Sequence, residues 1–230
     1  MHQSTGASPL ATAEAALPKE LIHRLLQLYV GLVLYGVSSA LLVRAGLGLE
    51  PWGVLHQGLA ALTGLTIGTV SIIVGAAVLL LWIPLRQRPG LGTVSNVFVI
   101  GIAMDATLGL VADAHALVAR IPLMVAGILL NGAATGLYIS ARLGPGPRDG
   151  LMTALHRITG RPIRWVRTAI EVAVVAAGFA LGGTVGVGTV AYALAIGPLA
   201  QFFLRVFGSP AENARPSAAV PVPEGAILPE

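Results

Sequence analysis

"LGPGPRDGLMTALHRITG", Leu143 to Gly160, repeats the frame of "LGLEPWGVLHQGLAALTG", Leu47 to Gly64, and adds an Arg–Asp pair that the earlier stretch lacks. Pro51 and Pro147 lie 96 positions apart (147 − 51), and the same shift brings Thr63-Gly64 onto Thr159-Gly160. Working outward, it also brings Gly90-x-Gly92-Thr93-Val94 onto Gly186-x-Gly188-Thr189-Val190, Gly31 and Gly36 onto Gly127 and Gly132, and Gly101 onto Gly197. A shared excess of Leu and Val aligns apolar residues by chance, but it does not align Pro, Thr-Gly and Gly-x-Gly-Thr-Val together. The chain reads as one unit duplicated.

Composition sets the solvent of that unit. The 230 residues are 55% hydrophobic and 10% charged, and the mean hydropathy is +0.83. These values lie outside those of soluble domains and inside those of integral membrane proteins. Four stretches almost free of charge approach the roughly 20 residues that span a hydrocarbon core as helix: Leu25–Val43, Ile67–Leu85, Ile121–Ala141 and Thr168–Gly183. Two more, Thr93–Val111 and Val187–Leu204, are interrupted only by Asp105 and Gln201. The expected fold is an all-α membrane protein of six transmembrane helices, three per unit, each unit carrying one short amphipathic helix that does not cross. Those short segments, Pro51–Leu62 and Pro147–Ile158, reach only about 18 Å as helix at 1.5 Å per residue.

Lysine and arginine decide whether the short segments cross, because cytoplasmic loops collect them. With six spans, Arg44 and Arg120 alone of the 14 basic residues fall outside. If both short segments crossed, Arg86, Arg88, Arg142 and Arg148 would join Arg44 outside. Six spans therefore fit better. An odd number of spans per unit makes the second unit enter from the opposite side, so the repeat is inverted, with both termini cytoplasmic. The expected organisation is a flexible cytoplasmic arm over 1–20, a first repeat over 21–112, a second over 113–207 and a disordered Pro/Ala-rich tail over 208–230, the repeats forming one membrane domain.

Several classes of chemistry are excluded or disfavoured. No cysteine is present, which removes disulfides, thiolate catalysis and Cys-metal sites. The pI near 10.1 has no basic-aromatic soluble domain to act on nucleic acid. His56 and His156 do not align across the repeat, and no H-E-x-x-H, G-x-S-x-G or phosphate loop appears. No catalytic residue, metal or cofactor is expected, and an enzyme is the least favoured class. The faces Gly132-x-x-x-Gly136, Gly178-x-x-x-Gly182 and Gly182-x-x-x-Gly186 serve close helix packing and permit a homodimer.

The segments "PWGVLHQGLAALTGLTIGTVSIIVG", "WIPLRQRPGLGTV", "GLGPGPRDGLMTALHRITG" and "GGTVGVGT" resemble the bacterial YczE/YitT-type multi-pass membrane proteins over about Leu25 to Phe207. The resemblance implies a bacterial inner-membrane location and supplies no substrate. In the family pattern an Asp follows the Pro-Trp of the first copy; here Gly53 stands there, which breaks the symmetry of a paired-acid reading.

Ionisable residues in an apolar span are functional candidates, since burying one in lipid costs roughly 2.5 kcal/mol or more. Glu171 lies one turn after Arg167, so the two form either a structural i, i+4 pair or part of a substrate site. Asp105, aligned with Gln201, lies near the outer end of its span, where an interfacial role competes with proton carriage. Pro51 and Pro147 open the short helices, because a proline at the first position loses no hydrogen bond. Beyond them the free N–H groups favour an anion. Asp149 complements that end, Arg148 is left to reach a ligand or headgroup, and Trp52 is Arg148's first-copy counterpart. The expected function is small-molecule transport with the site between inverted repeats. The competing reading is an assembly or scaffold protein binding anionic lipid or a cytoplasmic partner through Arg148, Arg157, Arg161 and Arg164.

Overall fold

The computed structural model describes residues 9–208, with side chains from Lys19 onward. Eight helices follow one another, with no strand among the described residues: α1 (Pro9–Ala45), α2 (Pro51–Thr63), α3 (Ile67–Leu81), α4 (Leu91–Leu110), α5 (Leu117–Ser140), α6 (Pro147–Thr159), α7 (Ile163–Ala180) and α8 (Val187–Phe207). Residues 9–20 of the expected N-terminal arm are the first turns of α1. Residues 1–8 and the tail from 209 lie outside the described residues.

Four of the described helices are individually long and apolar enough to cross a membrane: Lys19–Ala45 of α1, α4, α5 and α8. The α2–α3 pair, bent by 112°, makes a fifth if it is one broken span. This count differs from the six spans read from the sequence for identifiable reasons. Helix α3 stops at Leu81 after 15 residues, about 22 Å at the helical rise, because residues 82–86 turn ahead of Pro89. Helix α7 has 18 residues but carries Arg164, Arg167 and Glu171. The outer faces are apolar, with Ile102, Leu194, Val172 and Phe179 more than half exposed, as expected of surfaces facing lipid.

The centre consists of α1, α4, α5 and α8. Helices α1 and α4 run parallel: Tyr29 meets Ser95 near one end and Arg44 bonds the Leu108 carbonyl near the other. Helices α5 and α8 are also parallel, and α5 runs opposite to α1. Arg120 Nε at the start of α5 donates to Ala45 O at the end of α1 (2.7 Å), while Gly31 lies against Ala134 and Tyr138 towards the end of α5. Two core clusters result, one built on Leu32, Ile100 and Tyr138 and the other on Leu42, Ile128 and Ile196. The 96-residue shift carries each residue of the first trio onto one of the second.

Backbone geometry follows the same shift where side chains do not. The eight positive-φ residues among those described form four pairs: Gly46 with Arg142, Gly48 with Gly144, Gly64 with Gly160, and Arg86 with Gly182. Both short helices have 13 residues, start on proline and end on a left-handed glycine whose N–H returns to the carbonyl four residues back. Contacts between the halves also come in pairs. Gly188 N donates to Leu47 O (2.8 Å) and Gly92 N donates to Leu143 O (2.7 Å). The α2–α7 contact sets Val54 and Leu55 against Gly178, where a Cβ would come within 2.4 Å of Leu55 N. Its counterpart sets Gly150 against Trp82, where a Cβ would come within 2.0 Å of the indole. Large and small residues have exchanged sides between the two contacts.

Candidate functional site

The N-terminal ends of α2 and α6 meet between the halves. Helix α6 is fixed there by Trp82, which is 2% exposed and donates from Nε1 to Pro147 O (3.1 Å). Thr93 Oγ1 holds the preceding loop by donating to Pro145 O (2.7 Å). These contacts deliver Arg148 and Asp149 to a cavity of about 60 Å³. Tyr35, Asn96 and Ile100 line it from the first half and Tyr138 and the Gly146–Asp149 turn from the second. That volume holds a few waters or a small polar group.

Beside this cavity the Arg148 guanidinium carbon stands 4.8 Å from the centroid of the Trp52 ring. A cation over an indole face gains roughly 0.5 to 2 kcal/mol and leaves its N–H donors free to take another partner. Asp149 accepts a hydrogen bond from Tyr138 Oη (2.9 Å), and the Tyr35 and Tyr138 rings pack edge to face at 6.3 Å. Asp149 is exposed and Arg148 half-buried, so the site is approached from the α6 side.

Beneath this layer the polar groups are sealed. Ser39 Oγ donates to Glu50 Oε1 (3.0 Å). Glu50 is 5% exposed, Trp52 7% and His56 3%, and Glu50 Oε2, Trp52 Nε1 and His56 Nε2 are buried with no hydrogen-bond partner. A second network is complete: Tyr192 Oη donates to Asn131 Oδ1 (2.9 Å), Asn131 Nδ2 to Ser38 Oγ (2.8 Å), and Ser38 Oγ to Tyr35 O (2.7 Å). Buried polar networks of this kind fix one arrangement when every member is satisfied.

Of the residues read from the sequence, Trp52, Pro147, Arg148 and Asp149 come together here, with Pro51 one residue from the contact. Arg167 and Glu171 do not join them. They pair along α7 at 2.8 Å, half and one-third exposed. Glu171 and Pro51 border a separate, largely apolar groove of about 500 Å³ between α7 and α8. Asp105 is engaged elsewhere: its Oδ1 accepts from Gly68 N (2.8 Å) and its Oδ2 from Thr66 Oγ1, so it caps α3 from α4. His156 Nδ1 lies 2.6 Å from Arg161 O and closes the α6–α7 turn.

Glu50, Tyr35, Tyr138 and Ser39 were not singled out from the sequence. The available signal was the position of Glu50, an acid directly before a helix-opening proline in an otherwise apolar stretch. The tyrosines gave none, because aromatics on spans read as packing.

These features define an all-helical membrane protein with a small polar cavity lined from both halves of the chain. The chain belongs to a family of unknown function, DUF6198, whose model matches residues 22–205. It is 43% identical over 179 residues to an uncharacterized protein of Haemophilus influenzae, covering 78% of this chain and 82% of that one. It is 33% identical over 189 residues to the uncharacterized membrane protein YczE of Bacillus subtilis, covering 81% and 87%, so the YczE-type resemblance holds. Similarity to YyaS of the same organism is 24% over 181 residues, 77% of this chain and 90% of that one. No solved structure matches.

Proposed function

We propose that this protein is a small-molecule transporter of the bacterial inner membrane and not an enzyme, with its site where α2 and α6 meet between two inverted units. The observation that carries this reading is the cavity at Arg148, lined from both halves and holding a guanidinium whose neighbour is an aromatic face. Carriers built from inverted units place substrate at such a junction, against the ends of short helices.

The inverted arrangement is supported by contacts that exchange in pairs under the 96-residue shift, as an approximate two-fold axis produces. It is supported again by the left-handed turns. In the six-span topology Arg86 and Arg142 face the cytoplasm, while their counterparts Gly182 and Gly46 face outward. Basic residues thus occupy the cytoplasmic member of each pair. Here α3 and α7 cross with the help of the loops at their ends, and α2 and α6 enter from opposite faces. Reporters fused after Arg88 and after Arg120 test this, with opposite sides of the membrane expected; both on one side would exclude inversion.

The transport reading is tested on purified protein in liposomes, by ligand-induced thermal stabilisation against amino acids, cations and small organic anions. Stabilisation by one class, lost in Arg148→Ala and Asp149→Ala, is the expected result. No stabilisation, with capture of a cytoplasmic partner through Arg157, Arg161 and Arg164, would favour the scaffold reading.

A further inference from the structure

The two short helices differ in sequence at their first turn, yet each carries a carboxylate at the same place. In the first half the acid is Glu50, directly before α2, and the third helical residue is Gly53. In the second half the order is reversed: Gly146 precedes α6, and the acid is Asp149, the counterpart of Gly53. A Cβ placed on Gly53 would lie 2.8 Å from the Glu50 carboxyl carbon and 2.9 Å from each of its oxygens. A Cβ placed on Gly146 would lie 3.0 Å from Asp149 Oδ2. Each glycine leaves the space that its helix's acid fills, and Glu50 occupies the volume an aspartate at residue 53 would use.

The two acids meet different surroundings. Asp149 is exposed and holds the Tyr138 hydroxyl. Glu50 is sealed, with Ser39 on one oxygen and nothing on the other. Ser39 of α1 is its hydrogen-bond partner, and the other ionisable groups whose charge it feels are Arg148 from α6, Tyr35 from α1 and Tyr192 from α8; Arg167 and Glu171 of α7 are paired with each other. Arg148 stands over Trp52. A bare carboxylate enclosed with one hydroxyl donor is far more costly than a neutral carboxyl.

We propose that Glu50 and Asp149 are equivalent proton-binding carboxyls of the two halves, Glu50 closed and carrying its proton on Oε2, Asp149 open to solution. The proton comes from bulk water when the α2 side opens and returns there on release, leaving a carboxylate. The transported ion that couples to substrate movement is then the proton. This deepens the transporter reading and rests on it only for the exchange between sides.

The test uses the full chain in liposomes without any substrate. Infrared difference spectra on H/D exchange at neutral pH are expected to show the C=O stretch of a protonated carboxyl in wild type and in Asp149→Asn, but not in Glu50→Gln. Gly53→Asp alone is expected to lower the melting temperature, because its side chain meets the Glu50 carboxyl. Combining it with Glu50→Gly moves the acid to the position used in the second half and is expected to restore both stability and the infrared band. A protonated-carboxyl band unaffected by Glu50→Gln, or no band in wild type, overturns the proton assignment. A double variant no better than Gly53→Asp overturns the equivalence. Neither readout depends on transport, so failure to find a substrate leaves these results interpretable.

Discussion

In the first half α3 lies directly on α4, whereas in the second α7 stands away from α8. Gly68 and Gly101 bring the first pair together, since a Cβ on Gly68 would come within 2.2 Å of Gly101 O, and Asp105 ties α3 to α4 by capping its first turn. That joint is lost in the second half. Arg164 stands at the place of Gly68, Gln201 at that of Asp105, and Gly197, the counterpart of Gly101, has no neighbour within 4 Å of its Cβ position. The α7–α8 groove is the result. A similar exchange occurs at the centre. Asn131 and Tyr192 are joined by a hydrogen bond, while their first-half counterparts, Tyr35 and Asn96, both line the cavity. A repeat can thus keep its path while different residues decide which joints are closed.

The comparison can be broken most severely at the size-matched contacts. Trp82→Ala should cost about 3 to 5 kcal/mol, as truncation of a fully buried tryptophan does, because the indole fills the space beside Gly150. Denaturant unfolding in mixed micelles would measure it, and a cost under about 1 kcal/mol would mean that this contact does not hold α6. Gly101→Ala and Gly197→Ala sharpen the contrast between equivalent positions. The first should destabilise by about 1 to 3 kcal/mol through overpacking against α3. The second should be neutral or stabilise by about 0.5 to 1 kcal/mol, since Ala is the better helix former. Equal effects at the two sites would contradict the open second joint.

Asp105→Ala should cost about 1 kcal/mol as a lost cap, with faster amide exchange at the start of α3. Glu171→Gln, by contrast, should change stability by only about 0.2 to 0.5 kcal/mol, because an i, i+4 pair this exposed is worth little. A much larger loss at Glu171 would show that the pair does more than join two turns of α7.

The recurring frame and the start and end of both short helices were legible in the sequence. Proline, Thr-Gly and Gly-Thr-Val encode local backbone geometry, which repeats wherever those residues do. The lengths of α3 and α7 were less legible, because hydropathy runs on through turns that end a helix. Asp105 looked like an ionisable residue in a span; that it caps α3 depends on which helix lies beside it. Glu50 was not legible, because its aligned partner in the second copy is Gly146 and the nearness of its carboxyl to Gly53 depends on the fold of its own helix start.

The sequence by itself determined a membrane-embedded, all-helical chain of two related halves, since composition fixes the solvent and spacing fixes the local backbone. Only the tertiary structure decided which side chains share a space. The Glu50 carboxyl lies beside Gly53, the large and small partners exchange sides, and one joint closes while its counterpart stays open. These outcomes depend on distances between segments remote in sequence, which are set by packing.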